Sequence, residues 1–202
     1  MDLDTYAWAI IVLAFLTSFS IGANDAANAL ATSYGSNALK LSYLVVLGGI
    51  FEFVGAYYCS SHVAGTLVDS IVDGVDNNMD YVVVEKMMLG TCISSFLFII
   101  CSSVFGMPIS GTHTVVGALI GSGLATLGSG NIKWKKLSVI VSSWFVAPAV
   151  AAIISAFIMW AVAGVTLNPK KRLESRFFWL TLIAASSCSV IAKMLIEVTK
   201  EK

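Results

Sequence analysis

The chain has 202 residues, 57% of them hydrophobic and only 12% charged, with 12 basic residues against 12 acidic ones. Its mean hydropathy is +0.86, and a soluble domain carries about 25% charged residues, so the apolar surplus must face lipid. Nothing in the balanced charge suggests a nucleic-acid partner, which needs a basic patch.

Apolar blocks alternate with short charged stretches, which predicts an all-α, multi-pass integral membrane protein. About six hydrophobic segments form a single transmembrane domain over residues 1–202. The first segment, residues 4–34, exceeds the roughly 20 residues of a simple span. Its second half carries Gly22, Asn24, Asp25, Asn28 and Thr32, which predicts a helix broken near Gly22. Irregular backbone at membrane depth is tolerated where it lines a cavity or packs against protein. Residues 1–20 hold Asp2 and Asp4 but no Lys or Arg. A secretory leader starts basic, so this stretch reads as a mature first helix.

A loop at 35–40 leads to a second segment, 41–63, with Glu52 in its middle. The stretch 69–80 holds Asp69, Asp73, Asp76 and Asp80 and reads as a solvated loop. Residues 82–105 are apolar, Gly106-Met107-Pro108 interrupts them, and 109–127 resume. Pro108 cannot continue a helix without losing a backbone bond. The two stretches are therefore either two full spans or a re-entrant hairpin with its tip near Pro108. A basic loop, 133–136, precedes the segment 137–165, which Pro148 is expected to kink. A second basic loop holds Lys170, Lys171, Arg172 and Arg176, and a last segment covers 177–196. Basic residues flank 137–165 on both sides, so the positive-inside bias is weak and compatible with dual topology. Cys59, Cys92, Cys101 and Cys188 lie in apolar segments without a CxxC pair and read as packing residues, with no metal site.

Two motifs carry chemistry. In Gly22-Ala23-Asn24-Asp25-Ala26-Ala27-Asn28, followed by Thr32, the residues Asp25, Asn28 and Thr32 recur at helical spacing and share a face. Single Asn or Thr residues serve as interhelical glue. An Asn-Asp-Asn-Thr cluster around a glycine is better explained as a transport pathway, because ionisable groups in membrane helices are costly. In Pro108-Ile109-Ser110-Gly111-Thr112-His113-Thr114, a proline turn opens a new helix. Its free amides and dipole favour an anion, and Ser110 and Thr112 add hydroxyls. Plain N-capping by Ser110 explains the same residues without a ligand.

These motifs resemble the two signatures of the inorganic phosphate transporter (Pit) family of cation-coupled symporters. Phe51-Glu52, the acidic loop, Ser143-Trp144-Phe145 with Pro148, and Asn168-Pro169 are similar as well. The resemblance implies transport of inorganic phosphate with sodium or protons, and no enzymatic activity. It implies phosphate binding by Asn24, Asp25, Asn28, Ser110 and Thr112, and cation binding or coupling by Asp25, Asn28, Thr32 and Glu52. No cofactor is implied beyond the transported ions. Two departures stand out. The family often has a hydroxyl residue where this chain has Gly111, and members usually carry two inverted repeats where this chain has one motif copy. The expectation is one half of an inverted-repeat transporter, completed by a second half-transporter chain, either a copy of itself or a separate subunit.

The residue chemistry supports phosphate independently. Neither motif contains Lys or Arg, so amides, hydroxyls, helix dipoles and a bound cation must hold the anion. Phosphate keeps a proton at neutral pH that it can donate to Asp25, and sulfate does not. The competing readings are a non-transporting structural subunit of a larger membrane complex and, more weakly, a hydrolase with a Ser110–His113 dyad.

Overall fold

An apolar chain in lipid must satisfy its backbone internally, and helices do so within one segment. The computed structural model describes residues 3–73 and 80–166 and positions 178, 181, 182, 185, 186, 189 and 193. Five α-helices follow in order: α1 (Leu3–Gly35), α2 (Leu41–Ile71), α3 (Tyr81–Val104), α4 (Gly111–Leu127) and α5 (Trp134–Thr166), with a short 3-10 turn at Ser129–Asn131 before α5. Four of them, α1, α2, α3 and α5, are long and apolar enough to cross a membrane. The chain forms two compact units, Met1–Lys136 and Leu137–Lys202. In the second, α5 continues through Pro148, and the described positions between 178 and 193 are helical. The rest of the expected last segment, Asp76, Asn168, Pro169 and the second basic loop lie outside the described residues.

The expected break near Gly22 is absent: α1 is helical over all 33 residues. Gly costs a helix only about 1 kcal/mol relative to Ala, and Ala23, Ala26, Ala27, Ala29 and Ala31 follow it. Among the described residues, the two ends of the acidic stretch join helices. Asp69 belongs to α2, and the Asp80 carboxylate caps α3 by accepting from the Val82 amide at 3.1 Å.

Within the first unit, α3 packs against both α1 and α4. Thr17 Oγ1 reaches the Leu13 carbonyl at 2.7 Å and the Cys92 carbonyl at 3.1 Å. Asn24 Nδ2 donates to Ser103 Oγ at 2.9 Å. These contacts advance in the same direction along both helices, so α1 and α3 run parallel. Small residues bring α3 and α4 together, as lipid-embedded helices require. A Cβ on Gly90 would stand 3.3 Å from that of Ser122, and Thr91 Oγ1 and Ser122 Oγ are 2.6 Å apart. Met87, Ile99 and Val116 are fully buried here.

The base of the α3–α4 hairpin is clasped. Val72 pairs with Ile132 in an antiparallel bridge. The Asp73 amide donates to the Asn131 carbonyl and the Lys133 amide to the Ile71 carbonyl, both at 2.9 Å. Lys133 Nζ lies 3.3 Å from Asp73 Oδ1. Its tip is a helix stop of known geometry. Gly106, at φ +67°, donates to the Ser103 carbonyl at 3.0 Å, and the Met107 amide to the Ser102 carbonyl at 2.9 Å. Glycine at this position tolerates the left-handed backbone, and the following Pro108 prevents the helix from resuming at once.

The tip stands opposite Asn24, about 16 Å short of the end of α1 at 1.5 Å per residue. With 17 residues, α4 is only about 25 Å long, less than the roughly 30 Å of a hydrocarbon core.

Candidate functional site

The two sequence motifs meet where the hairpin tip rests on α1. A cleft of about 480 Å3 opens there, lined by Asn24, Ala27 and Asn28 from α1 and by Ser103, Met107 and Pro108 from the hairpin. Alanines on α1 leave the room, since no bulky side chain fills the face between Asn24 and Asn28.

Asn24 is buried, and both amide donors and its oxygen are engaged. Nδ2 donates to Ser103 Oγ at 2.9 Å and to the Met107 carbonyl at 3.1 Å. Oδ1 accepts from the Ile109 amide at 2.9 Å. Asp25 sits one residue on and faces α4: its Oδ2 lies 3.6 Å from the point where a Gly111 Cβ would be. The carboxylate is therefore at the N-terminus of α4, beside amides that have no acceptor within the helix. Asn28 is exposed in the cleft.

Ser110 is the N-cap of α4, its Oγ accepting from the His113 amide at 3.4 Å. The same oxygen lies 2.6 Å from His113 Nδ1. The Ser–His pair anticipated from sequence thus exists as a contact, with Ser110 serving the helix end. Thr112 is exposed on the first turn.

Two candidates lie away from the cleft lining. Thr32 is exposed two turns beyond Asp25 on α1. Glu52 is exposed on α2. A Cβ on Gly48 would stand 3.6 Å from Leu30, and α1 and α2 run in opposite directions, so Glu52 reaches the depth of Ala26. Both carboxylates, Asp25 and Glu52, therefore occupy one level of the first unit.

Sequence reasoning missed Ser103 and the backbone groups of Met107 and Ile109 as partners of Asn24. The Gly106-Met107-Pro108 turn was visible, but no local signal ties it to a residue about 80 positions earlier.

The sequence profile described as the phosphate transporter family matches residues 21–202. A sodium-dependent phosphate transporter of Plasmodium falciparum is 34% identical over 184 residues, covering 87% of this chain and 27% of the relative. A protein of Haemophilus influenzae named as a candidate phosphate permease is 31% identical over 168 residues, covering 83% of this chain and 40% of the relative. Among solved structures, "the sodium-dependent phosphate transporter" superposes with a TM-score of 0.79 at 32% identity, covering 85% of this chain and 42% of that one. The chain spans less than half the length of these relatives.

Proposed function

This chain belongs to the phosphate transporter family and is a multi-pass integral membrane protein, and from that premise we propose that it carries inorganic phosphate across the membrane with sodium. The observation that carries this reading is the Asp25 carboxylate standing at the N-terminus of α4. A cation held by Asp25 and an anion held by the helix end would then be neighbours. The paired charges lower the cost of bringing either into a low-dielectric site.

In this mechanism the first amides of α4 and the hydroxyls of Ser110 and Thr112 bind phosphate, aided by the helix dipole. Asn28 adds its amide from the cleft wall. Asp25 holds sodium, a hard cation that suits carboxylate and carbonyl oxygens, and a protonated phosphate can share its proton with the same carboxylate. Thr32 and Glu52 supply further oxygens for coupling. The short α4, with a tip that stands opposite Asn24 rather than at the end of α1, supports a re-entrant element whose tip ends within the bilayer, where irregular backbone is tolerated if it lines a cavity.

The described residues form one repeat and one half of the site. Asn28, Thr32 and Glu52 are exposed at membrane depth, where polar groups facing lipid are costly. A second, matching half covers them. Alternating access then proceeds by movement of one half against the other around the midplane site.

The test is radiolabelled phosphate uptake into proteoliposomes with and without an inward sodium gradient. Sodium-stimulated uptake supports the reading. A well-inserted protein in native-like assembly that takes up no phosphate favours a structural subunit instead.

A further inference from the structure

We propose that Asn24 is the positioning residue of this site, fastening the hairpin tip to α1, and is not itself a phosphate ligand. The inference rests on the phosphate-transport reading above and refines it.

Asn24 is only 6% exposed. An asparagine amide has two N–H donors, and both are directed at the hairpin, to Ser103 Oγ and the Met107 carbonyl. Its oxygen takes the Ile109 amide. A phosphate oxygen could recruit the amide donors of this side chain only by breaking one of these bonds in a buried setting.

The partners explain why an amide stands here. Pro108 has no N–H, and the Gly106 reversal ends α3, so the Met107 carbonyl and the Ile109 amide have no helical partner. Unsatisfied backbone groups at membrane depth are costly. One Asn side chain, acceptor and donor together, brackets Pro108 and satisfies both. No other residue type of this length offers two N–H donors and an acceptor in one planar group.

The rest of the hairpin is held elsewhere. Its base is fixed by the Val72–Ile132 bridge and the Lys133–Asp73 pair, and its middle by Thr91 and Ser122. Among the described residues, Asn24 makes the hydrogen bonds that join α1 to the 105–110 turn. The neighbouring Asp25 meets Gly111 just beyond that turn. Releasing Asn24 therefore moves the anion-binding helix end away from the cation-binding carboxylate. A direct ligand would weaken phosphate and leave the tip in place, whereas a positioning residue frees the tip and weakens phosphate and sodium by similar factors.

The test uses the full chain in native membranes, with Cys59, Cys92, Cys101 and Cys188 replaced and a single cysteine introduced as Ile109→Cys. Maleimide labelling of that cysteine, without phosphate, reports the freedom of the tip. Asn24→Ala should accelerate labelling by roughly tenfold, as expected for loss of more than one net hydrogen bond. Asn24→Asp, which keeps the acceptor and loses both donations, should fall between. Apparent affinities for phosphate and sodium in uptake should drop by similar factors. Unchanged labelling in Asn24→Ala, with phosphate affinity alone reduced, would overturn the proposal in favour of direct ligation. Val72→Cys, at a buried position in the base clasp, reports the fold. If Asn24→Ala exposes it too, Ser103→Ala carries the test: faster labelling at 109 alone supports the fastening, and unchanged labelling overturns it. If the unsubstituted protein takes up no phosphate, the transport reading fails while the labelling result still decides the role of Asn24 at the tip.

Discussion

Gly111 opens α4 against α1, and its missing side chain is a measurable constraint. A Cβ there would stand 3.2 Å from Ile21 Cγ2 and 3.6 Å from Asp25 Oδ2. Carbon pairs rest at about 3.5–4.0 Å, so the methyl of Gly111→Ala must displace Ile21 or the start of α4 by a few tenths of an ångström. Overpacking of this kind costs about 1–3 kcal/mol, and the better helix propensity of alanine offsets at most about 1 kcal/mol of it. Stability should therefore fall by about 0–3 kcal/mol, measured by reversible unfolding in mixed micelles. The same displacement separates the helix end from Asp25. A loss of about 1 kcal/mol in substrate binding is roughly fivefold in apparent phosphate affinity, read from uptake across a range of phosphate concentrations. Ile21→Ala removes the opposing Cγ2, so the pair Gly111→Ala with Ile21→Ala should recover the affinity to within about twofold. Unaltered affinity in Gly111→Ala, or no recovery in the pair, would refute the close approach between α1 and the head of α4.

Asp25→Asn should abolish sodium-coupled uptake in a protein that still inserts, because it removes the charge at almost constant volume; full uptake by this variant removes Asp25 from the mechanism. Thr112→Val should weaken phosphate affinity by roughly fivefold to a hundredfold, the worth of one hydroxyl hydrogen bond to a charged guest; an unchanged affinity returns this turn to helix capping alone. A cysteine in place of Thr32, in a background without native cysteines, should cross-link to a second half in native membranes, since Thr32 is exposed on α1; phosphate uptake with only uncross-linked monomer speaks against a two-half site. Ser122→Ala and Thr91→Val should show a coupling of about 0.6 kcal/mol in a double-mutant cycle, as interhelical hydroxyl pairs in membranes do; zero coupling means the 2.6 Å contact does not stabilise the hairpin.

Much of this molecule is legible in one dimension. Hydropathy is a sum over neighbouring residues, so the apolar blocks located the helices. Gly106 and Pro108 marked the turn because backbone preferences are local. The Asn24–Asn28 and Ser110–Thr112 motifs stood out because polar groups within apolar runs are costly. The tertiary structure decided what those motifs do to one another. It carried α1 unbroken through Gly22, since a run of alanines outweighs one glycine. It turned Asn24 onto Met107 and Ile109, and Asp25 onto Gly111, although the two residues are adjacent. It left Glu52 on α2 level with Asp25 without placing it in the cleft lining. Such pairings depend on the register and crossing of helices about 80 residues apart. Close contacts such as Gly111 with Ile21 and Thr17 with the Cys92 carbonyl set that register, and they act only once the helices have met.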